Sequence, residues 1–200
     1  MPILPQTYRQ FSSTGTSLGA FACEFGTLNR FAFLTAYETI EALTQERARL
    51  MTEEDPYGIG QYLGGVSTAA FKPLAFAKPI VPGTYGPFYE FRTYTLAPFG
   101  LAETEEAWSK IIDRRHAMSP LLTNMASIED GPQKMVHIWP YATIEARMAD
   151  GSAMPSWLQV DPMTGRVHLA SPADFAGALD VLLIARDNRG HEARATYTIT

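Results

Sequence analysis

The sequence predicts an α+β fold, and three observations support that prediction. Apolar and polar residues alternate in FYEFRTYTL at 88–96, as they do in a half-buried strand. Apolar residues recur at helical spacing in LAETEEAWSKIIDRRHAM at 101–118. From about residue 151 onward, the chain contains strand-like runs and turn signals alone. With 46% hydrophobic and 18% charged residues, the composition is that of a globular chain that can bury a core.

A repeated hexapeptide relates two parts of the chain. YETIEA at 37–42 and YATIEA at 141–146 differ only at their second residue, and the correspondence extends upstream to residues 29 and 133 without a gap. In each copy, apolar residues predict a strand and the tyrosine predicts a turn. Thr39 and Thr143 then supply the side-chain oxygen of a helix N-cap. The repeat therefore indicates a duplicated strand–turn–helix unit.

Each copy of the hexapeptide lies in a different part of the same larger unit. The first copy continues into a helix and then into a strand at 67–76. The second copy follows the strand at 88–96, the helix at 101–118 and a further strand at 121–130. Together these elements give the order β-α-β-β-α-β, which is ferredoxin-like. We therefore expect partial tandem units: the back part of a first one at 1–76, a linker at 77–87 and the front part of a second one at 88–149.

The tail at 150–200 predicts an incomplete all-β sandwich segment. Its three strand-like runs are separated by turns at 162–165 and 187–190, where Asp, Asn and Gly favour tight turns. The incomplete units leave two arrangements open. Either the strand at 67–76 completes the sheet of the second unit, or unpaired strand edges drive dimerisation or aggregation.

Charge and composition exclude several classes of function. The net charge is −5 and no run of Lys and Arg is present, which argues against nucleic-acid binding. No apolar stretch reaches the length of a membrane span, and the first ten residues do not have the pattern of a signal peptide. Cys23 is the one cysteine, so neither an intramolecular disulfide nor a multi-cysteine zinc site is expected. These features together predict a cytoplasmic protein.

Three blocks of the sequence resemble the NIPSNAP family, and they occur in family order: LGAFACEFGTLNRFAFLTAYETIEALTQERARL, GPFYEFRTYTLAPFGLAETEEAW and SIEDGPQKMVHIWPYATIEARMA. The resemblance covers about 18–149 and implies tandem ferredoxin-like units of the dimeric α/β-barrel type. The first unit is expected to lack its opening strand and helix. The second is expected to lack its last strand and most of its last helix.

The tail resembles a different family over about 141–200. PSWL at 155–158, DPMTG at 161–165 and the final DNRG turn are similar to a dystroglycan-type cadherin-like domain that lacks its first strand or two. This second resemblance would fit an exported protein rather than a cytoplasmic one.

The barrel-group resemblance implies a small-molecule pocket between the sheet and its helices. The residues expected to line it are Glu90, Arg92, Tyr94, Trp108, His137, Trp139 and Tyr141. Alternation places the first three on one strand face, where they would bind an anion or polarise a carbonyl; in the alternative interpretation, Glu90 pairs with Arg92 on a solvated face. His137, in the apolar run MVHIW, is either a general base or a core histidine. His116 follows two arginines and is expected to end a helix.

Three functions follow from these features. The leading one is a NIPSNAP-like, non-catalytic module for protein association or small-molecule binding, because the sequence shows no nucleophile–base or metal-ligand pattern. The first alternative is a cofactor-independent oxygenase-like enzyme that uses His137, Trp139 and Tyr94. The second is a calcium-dependent adhesion fragment, implied by the tail, although Asp161 and Asp187 are better explained as turn residues. No cofactor and no metal are predicted, and the expected partners are a second copy or another protein bound through sheet edges.

Overall fold

A computed structural model describes residues 14–23, 29–55, 57–129 and 131–200. The described chain divides into two compact units, one ending at Thr68 and the other spanning Ala69–Thr200. The first unit contains an antiparallel hairpin, a helix and one 3-10 turn. Their bounds are β1 Thr16–Ala22, β2 Phe31–Ala36, α1 Ile40–Thr52 and the 3-10 turn Gly60–Tyr62.

The helix α1 begins at the first copy of the hexapeptide, as predicted. Thr39 has extended backbone angles, and its Oγ1 accepts a hydrogen bond from the backbone N–H of Ala42 at 3.1 Å. This contact satisfies one of the N–H groups that the first turn of a helix leaves without a partner. Near the other end of the helix, Arg49 forms ion pairs with Glu46 at 2.6 Å and Glu53 at 2.5 Å.

The second unit is built on a four-stranded antiparallel sheet with strand order β3-β5-β6-β4. Two helices connect β4 to β5, and β6 lies between these two strands, as in the first half of a ferredoxin-like unit. The bounds of these elements are β3 Phe71–Pro73, β4 Phe88–Thr95, α2 Leu101–Ser109, α3 Ile112–Met118, β5 Thr123–Ser127 and β6 Lys134–Tyr141. The α+β fold class is therefore confirmed.

Two of the sequence predictions are refined in this unit. The strand predicted at 67–76 is present as β3, and it completes the sheet by pairing with β5. The helix predicted at 101–118 is two helices, because the backbone hydrogen bonding between them changes from the α-helical spacing of four residues to a spacing of three. Ile111 N–H bonds to Trp108 O, three residues back, and Ile111 has a φ of −118°.

The predicted helix after the second hexapeptide is wrong, because this segment is the strand β7 (Thr143–Met148). It follows β6 almost directly and pairs antiparallel with β10 (Leu179–Arg186) over six residues. Thr143 therefore caps no helix but lies opposite Arg186. Gly151 and Pro155 follow closely, so a helix here would have been short, whereas a strand buries Ile144 and Met148.

The tail contributes four strands to two small sheets. They are β8 Leu158–Val160, β9 Val167–Leu169, β10 Leu179–Arg186 and β11 Glu192–Ile199. One sheet has the order β11-β10-β7, and β8 pairs with β9 in the other. Ile144, Leu158, Val181 and Leu183 form the buried cluster that joins them. Across the described residues, no helix is long and apolar enough to cross a membrane.

Candidate functional site

All seven residues predicted to line a pocket lie in one layer of the second unit. In the antiparallel register of β4 and β6, Glu90 is opposite Trp139 and Arg92 is opposite His137, so their side chains lie on the same face. Helix α2 covers this face, since the Trp108 ring lies 4.5 Å from the His137 ring. We call this face the polar layer, and its predicted members are Glu90, Arg92, Tyr94, Trp108, His137, Trp139 and Tyr141.

Glu90, Arg92 and Tyr141 form a hydrogen-bonded network at one side of the polar layer. Arg92 Nε contacts Glu90 Oε1 at 2.8 Å, and the Tyr141 hydroxyl donates to Glu90 Oε2 at 2.9 Å. The bond to Glu90 raises the pKa of Arg92, and burial together with the Glu90 charge raises the pKa of Tyr141. Both groups therefore keep their protons at neutral pH. This is the Glu90–Arg92 pair of the alternative interpretation, with Tyr141 as a third member.

His137 is enclosed by aromatic rings and is 1% exposed. Ring centroids lie 5.1 Å away for Tyr94, 4.5 Å for Trp108 and 6.2 Å for Trp139. Burial, followed by the nearby charges of Arg92 and Arg115, lowers the pKa of His137 to about 4. Its Nε2 forms no hydrogen bond with any residue that the structure describes. A neutral, enclosed imidazole of this kind is a weak base.

Two guanidinium groups lie near the indole ring of Trp139. The Cζ atom of Arg115, from α3, lies 5.0 Å from the indole centroid, and that of Arg92 lies 5.7 Å away. Both distances are within the range of cation–π attraction. Unlike Arg92, Arg115 forms no ion pair within the described part of the chain. Trp139 Nε1 is buried and has no acceptor there either.

Asn124, which sequence reasoning missed, is the most deeply buried polar residue of this face. It lies opposite His137 on β5 and is 0% exposed, and both atoms of its side-chain amide are without partners among the described residues. Asn124 also lines a cavity of about 40 Å³ beside α3. A signal for it exists in the sequence, because asparagine is depleted in strands and here interrupts the apolar run LLTNMA.

Asp161 and Asp187, which a calcium-binding fragment could use as ligands, form hydrogen bonds within turns. Asp161 Oδ1 accepts from the backbone N–H groups of Met163 at 2.8 Å and Thr164 at 3.2 Å. Asp187 Oδ1 accepts in the same way from Arg189 at 2.8 Å and His191 at 3.0 Å. Throughout the residues that the structure describes, no three His, Cys, Asp or Glu side chains converge as metal ligands would.

Comparison with known protein families matches part of the chain. A sequence model of the NIPSNAP family matches residues 89–164, a segment that contains all seven predicted residues of the polar layer. The match supports the NIPSNAP resemblance for this segment of the chain. No curated protein and no solved structure matches the chain significantly. The cadherin-like resemblance of the tail has no support from these comparisons and stays a prediction.

Proposed function

We propose that this protein is a NIPSNAP-like, non-catalytic module that binds a small anionic molecule between α3 and β6. The observation that carries the proposal is the pair formed by Arg115 and Trp139. The guanidinium lies 5.0 Å from the indole centroid, and neither this cation nor the buried indole N–H has an acceptor among the described residues. Buried donors are almost always satisfied in folded proteins, because an unmade hydrogen bond costs about 1–3 kcal/mol. We expect a bound carboxylate to pair with the guanidinium and to accept from the indole N–H.

The charges around the indole favour an anion over a neutral ligand. Arg92 and Arg115 supply two positive charges, and Glu90 supplies one negative charge that is already bound to Arg92 and Tyr141. The charges of both arginines also act on His137, where they add to burial in lowering the pKa of the imidazole. Charge-assisted bonds from a guanidinium to a carboxylate are among the strongest in proteins, and the partial burial of the site protects them from screening.

The same geometry argues against the oxygenase-like alternative. His137 would need contact with a substrate and a pKa closer to the working pH in order to act as a general base. It is instead enclosed by three rings, and its pKa is about 4. Glu90, the one carboxylate among the seven predicted residues of the layer, is already bound by Arg92 and Tyr141. These contacts support a binding role for the layer.

Benzoate and its uncharged methyl ester test the proposal. Benzoate should raise the melting temperature of the protein in a saturable manner, because it binds the folded state, and methyl benzoate should not. Arg115→Gln should weaken benzoate binding at least tenfold in calorimetry. Arg114→Gln, an exposed neighbour on the same helix, is the matched control and should bind normally. Equal binding by Arg115→Gln, or equal binding of the ester, would show that the anion site is wrong.

Association through a sheet edge is a second candidate function, and β11 favours it. This eight-residue strand lies at the edge of its sheet, and Arg194, Ala195 and Thr196 are exposed. Asp187 and His191 form a hydrogen-bonded pair, because the Asp187 N–H bonds to His191 O. Hydrogen-bonded and non-hydrogen-bonded pairs alternate along antiparallel strands, and Thr196 belongs to a non-hydrogen-bonded pair opposite Leu182. The backbone N–H of Thr196 therefore points away from β10. Thr196→Pro should therefore dissociate an oligomer and leave the monomer folded. Light scattering would detect this change, and a monomeric wild-type protein would remove the candidate.

A further inference from the structure

A second small site lies beside α3, apart from the polar-layer residues that the sequence predicted. It is a cavity of about 40 Å³. Its walls are residues 76–78 after β3, Ile112 and His116 of α3, and residues 121–124 at the start of β5. Most of the lining is apolar, and Lys78 and His116 supply its basic groups. A volume of this size admits about two or three waters, or the end of a larger molecule, but not a whole metabolite.

Asn124 is one of the polar residues that line this cavity, together with Thr123, Lys78 and His116. The side chain of Asn124 lies on the helix-covered face of the sheet, because it is opposite His137, whose ring contacts Trp108 of α2. Asn124 Nδ2 is a donor and Oδ1 an acceptor, and neither has a partner among the residues described. Nδ2 therefore lacks a hydrogen-bond acceptor and Oδ1 lacks a donor. A ligand that satisfies both atoms must carry an acceptor and a donor close together.

We infer that this cavity binds the terminal primary carboxamide of a small ligand, with Asn124 as its partner. The carbonyl oxygen of a primary amide accepts from Asn124 Nδ2, and its N–H donates to Asn124 Oδ1. A carboxylate satisfies Nδ2 alone and leaves Oδ1 without a donor. The apolar side chains of Phe76, Ile112 and Leu121 enclose the head group, and the rest of the ligand projects past Lys78.

The side-chain NH2 resonances of Asn124 report directly on this pairing. In ¹⁵N-labelled protein, propionamide should shift these resonances in a saturable manner. Propionate and N,N-dimethylpropionamide, which lacks N–H donors, should bind at least tenfold more weakly. Propionate that binds at Arg115 would perturb Trp139 Nε1–H instead, so this titration separates the two proposed sites. The carboxamide site fails if propionamide leaves the Asn124 resonances unmoved, in which case the cavity holds water alone.

Two variants complete the test. Asn124→Leu should abolish the propionamide response at the backbone of residues 121–124, whereas Gln159→Leu, an exposed amide-to-leucine change on β8, should retain it. If Asn124→Leu does not fold, Ala77→Leu narrows the cavity from the loop after β3 and should weaken binding at least tenfold. An unchanged response in Ala77→Leu or in folded Asn124→Leu would overturn the inference.

Discussion

The guanidinium of Arg189 donates a hydrogen bond to the backbone carbonyl of His116 at 3.0 Å, across 73 positions of the sequence. Its second contact is the carbonyl of Ala117. Arg189 lies in the turn between β10 and β11, and the two carbonyls belong to the last turn of α3. The final hairpin thus caps the helix that carries Arg115 and His116, because a cation near a helix C-terminus satisfies its open carbonyls.

Loss of this cap should lower the stability of the Ala69–Thr200 unit. We expect Arg189→Gln to reduce the free energy of unfolding by about 1 kcal/mol, a modest value because the side chain is exposed. Urea denaturation followed by circular dichroism measures the change. Arg166→Gln, another exposed arginine of the tail, serves as the control and should change stability by less than about 0.5 kcal/mol. Equal losses in the two variants would contradict the capping role.

Asp187 makes the stability of the same turn dependent on acid pH. Burial opposes its ionisation, but the N–H groups of His191 and Arg189, with Ser119 and the His191 ring, outweigh burial and lower the pKa of Asp187 below 3.8. A carboxyl with a lowered folded-state pKa stabilises the protein above its ordinary pKa, and this contribution is lost as the pH falls through the folded-state pKa. We expect Asp187→Asn to cost about 1–2 kcal/mol at pH 7.

The pH dependence distinguishes this effect from a general loss of packing. The difference in unfolding free energy between wild type and Asp187→Asn should shrink below about pH 4. Urea titrations at pH 7, 5 and 3 measure it, with exposed Asp174→Asn as the control. A difference that stays constant down to pH 3 would rule out the charge of Asp187 as the cause.

His137 should destabilise the protein at mildly acid pH. Its folded-state pKa of about 4 lies below the ordinary value of 6.5. Between these two pH values, the imidazole is protonated in the unfolded chain but stays neutral in the folded protein. Stability is therefore lost as the pH falls from about 6.5 towards 4, by about 2 kcal/mol at pH 5.

Replacement of His137 by Phe removes this proton-linked loss. Relative to wild type, His137→Phe should gain about 2 kcal/mol between pH 7 and pH 5 in urea denaturation experiments. His168→Gln, on the exposed strand β9, should follow the wild-type curve. Parallel curves for wild type and His137→Phe would mean that His137 is not buried in its neutral form.

The two copies of the shared TIEA sequence should respond differently to the same substitution. Ile144 is 7% exposed in the core of β7, whereas Ile40 is 66% exposed at the start of α1. Ile144→Ala should cost about 3 kcal/mol through lost burial and a cavity. Ile40→Ala should change stability by less than about 0.5 kcal/mol, because alanine is at least as good a helix former. Similar losses at both positions in urea denaturation would contradict the assigned strand and helix.

Much of the polar layer could be predicted from local patterns. The period-2 alternation of FYEFRTYTL places Glu90, Arg92 and Tyr94 on one face, and the register of β4 against β6 agrees with that prediction. The contact between His137 and Trp108 depends on how α2 crosses the sheet, which no local pattern specifies. The placement of Arg115 over Trp139 depends on tertiary packing in the same way. The sequence marks Asn124 as unusual in a strand, but only the structure shows that its side-chain amide is without partners among the described residues.

The hexapeptide pair separates local from tertiary effects most clearly. After Thr39, the chain continues without Gly or Pro through 40–55, and the N-cap contact forms within the segment itself, so its helix could be predicted from sequence alone. After Thr143, the same TIEA residues form a strand, because β10 offers six residues of backbone pairing and a core for Ile144. These partners lie more than 30 positions further along the chain. Local propensity is a weak preference, and burial against a distant strand overrides it.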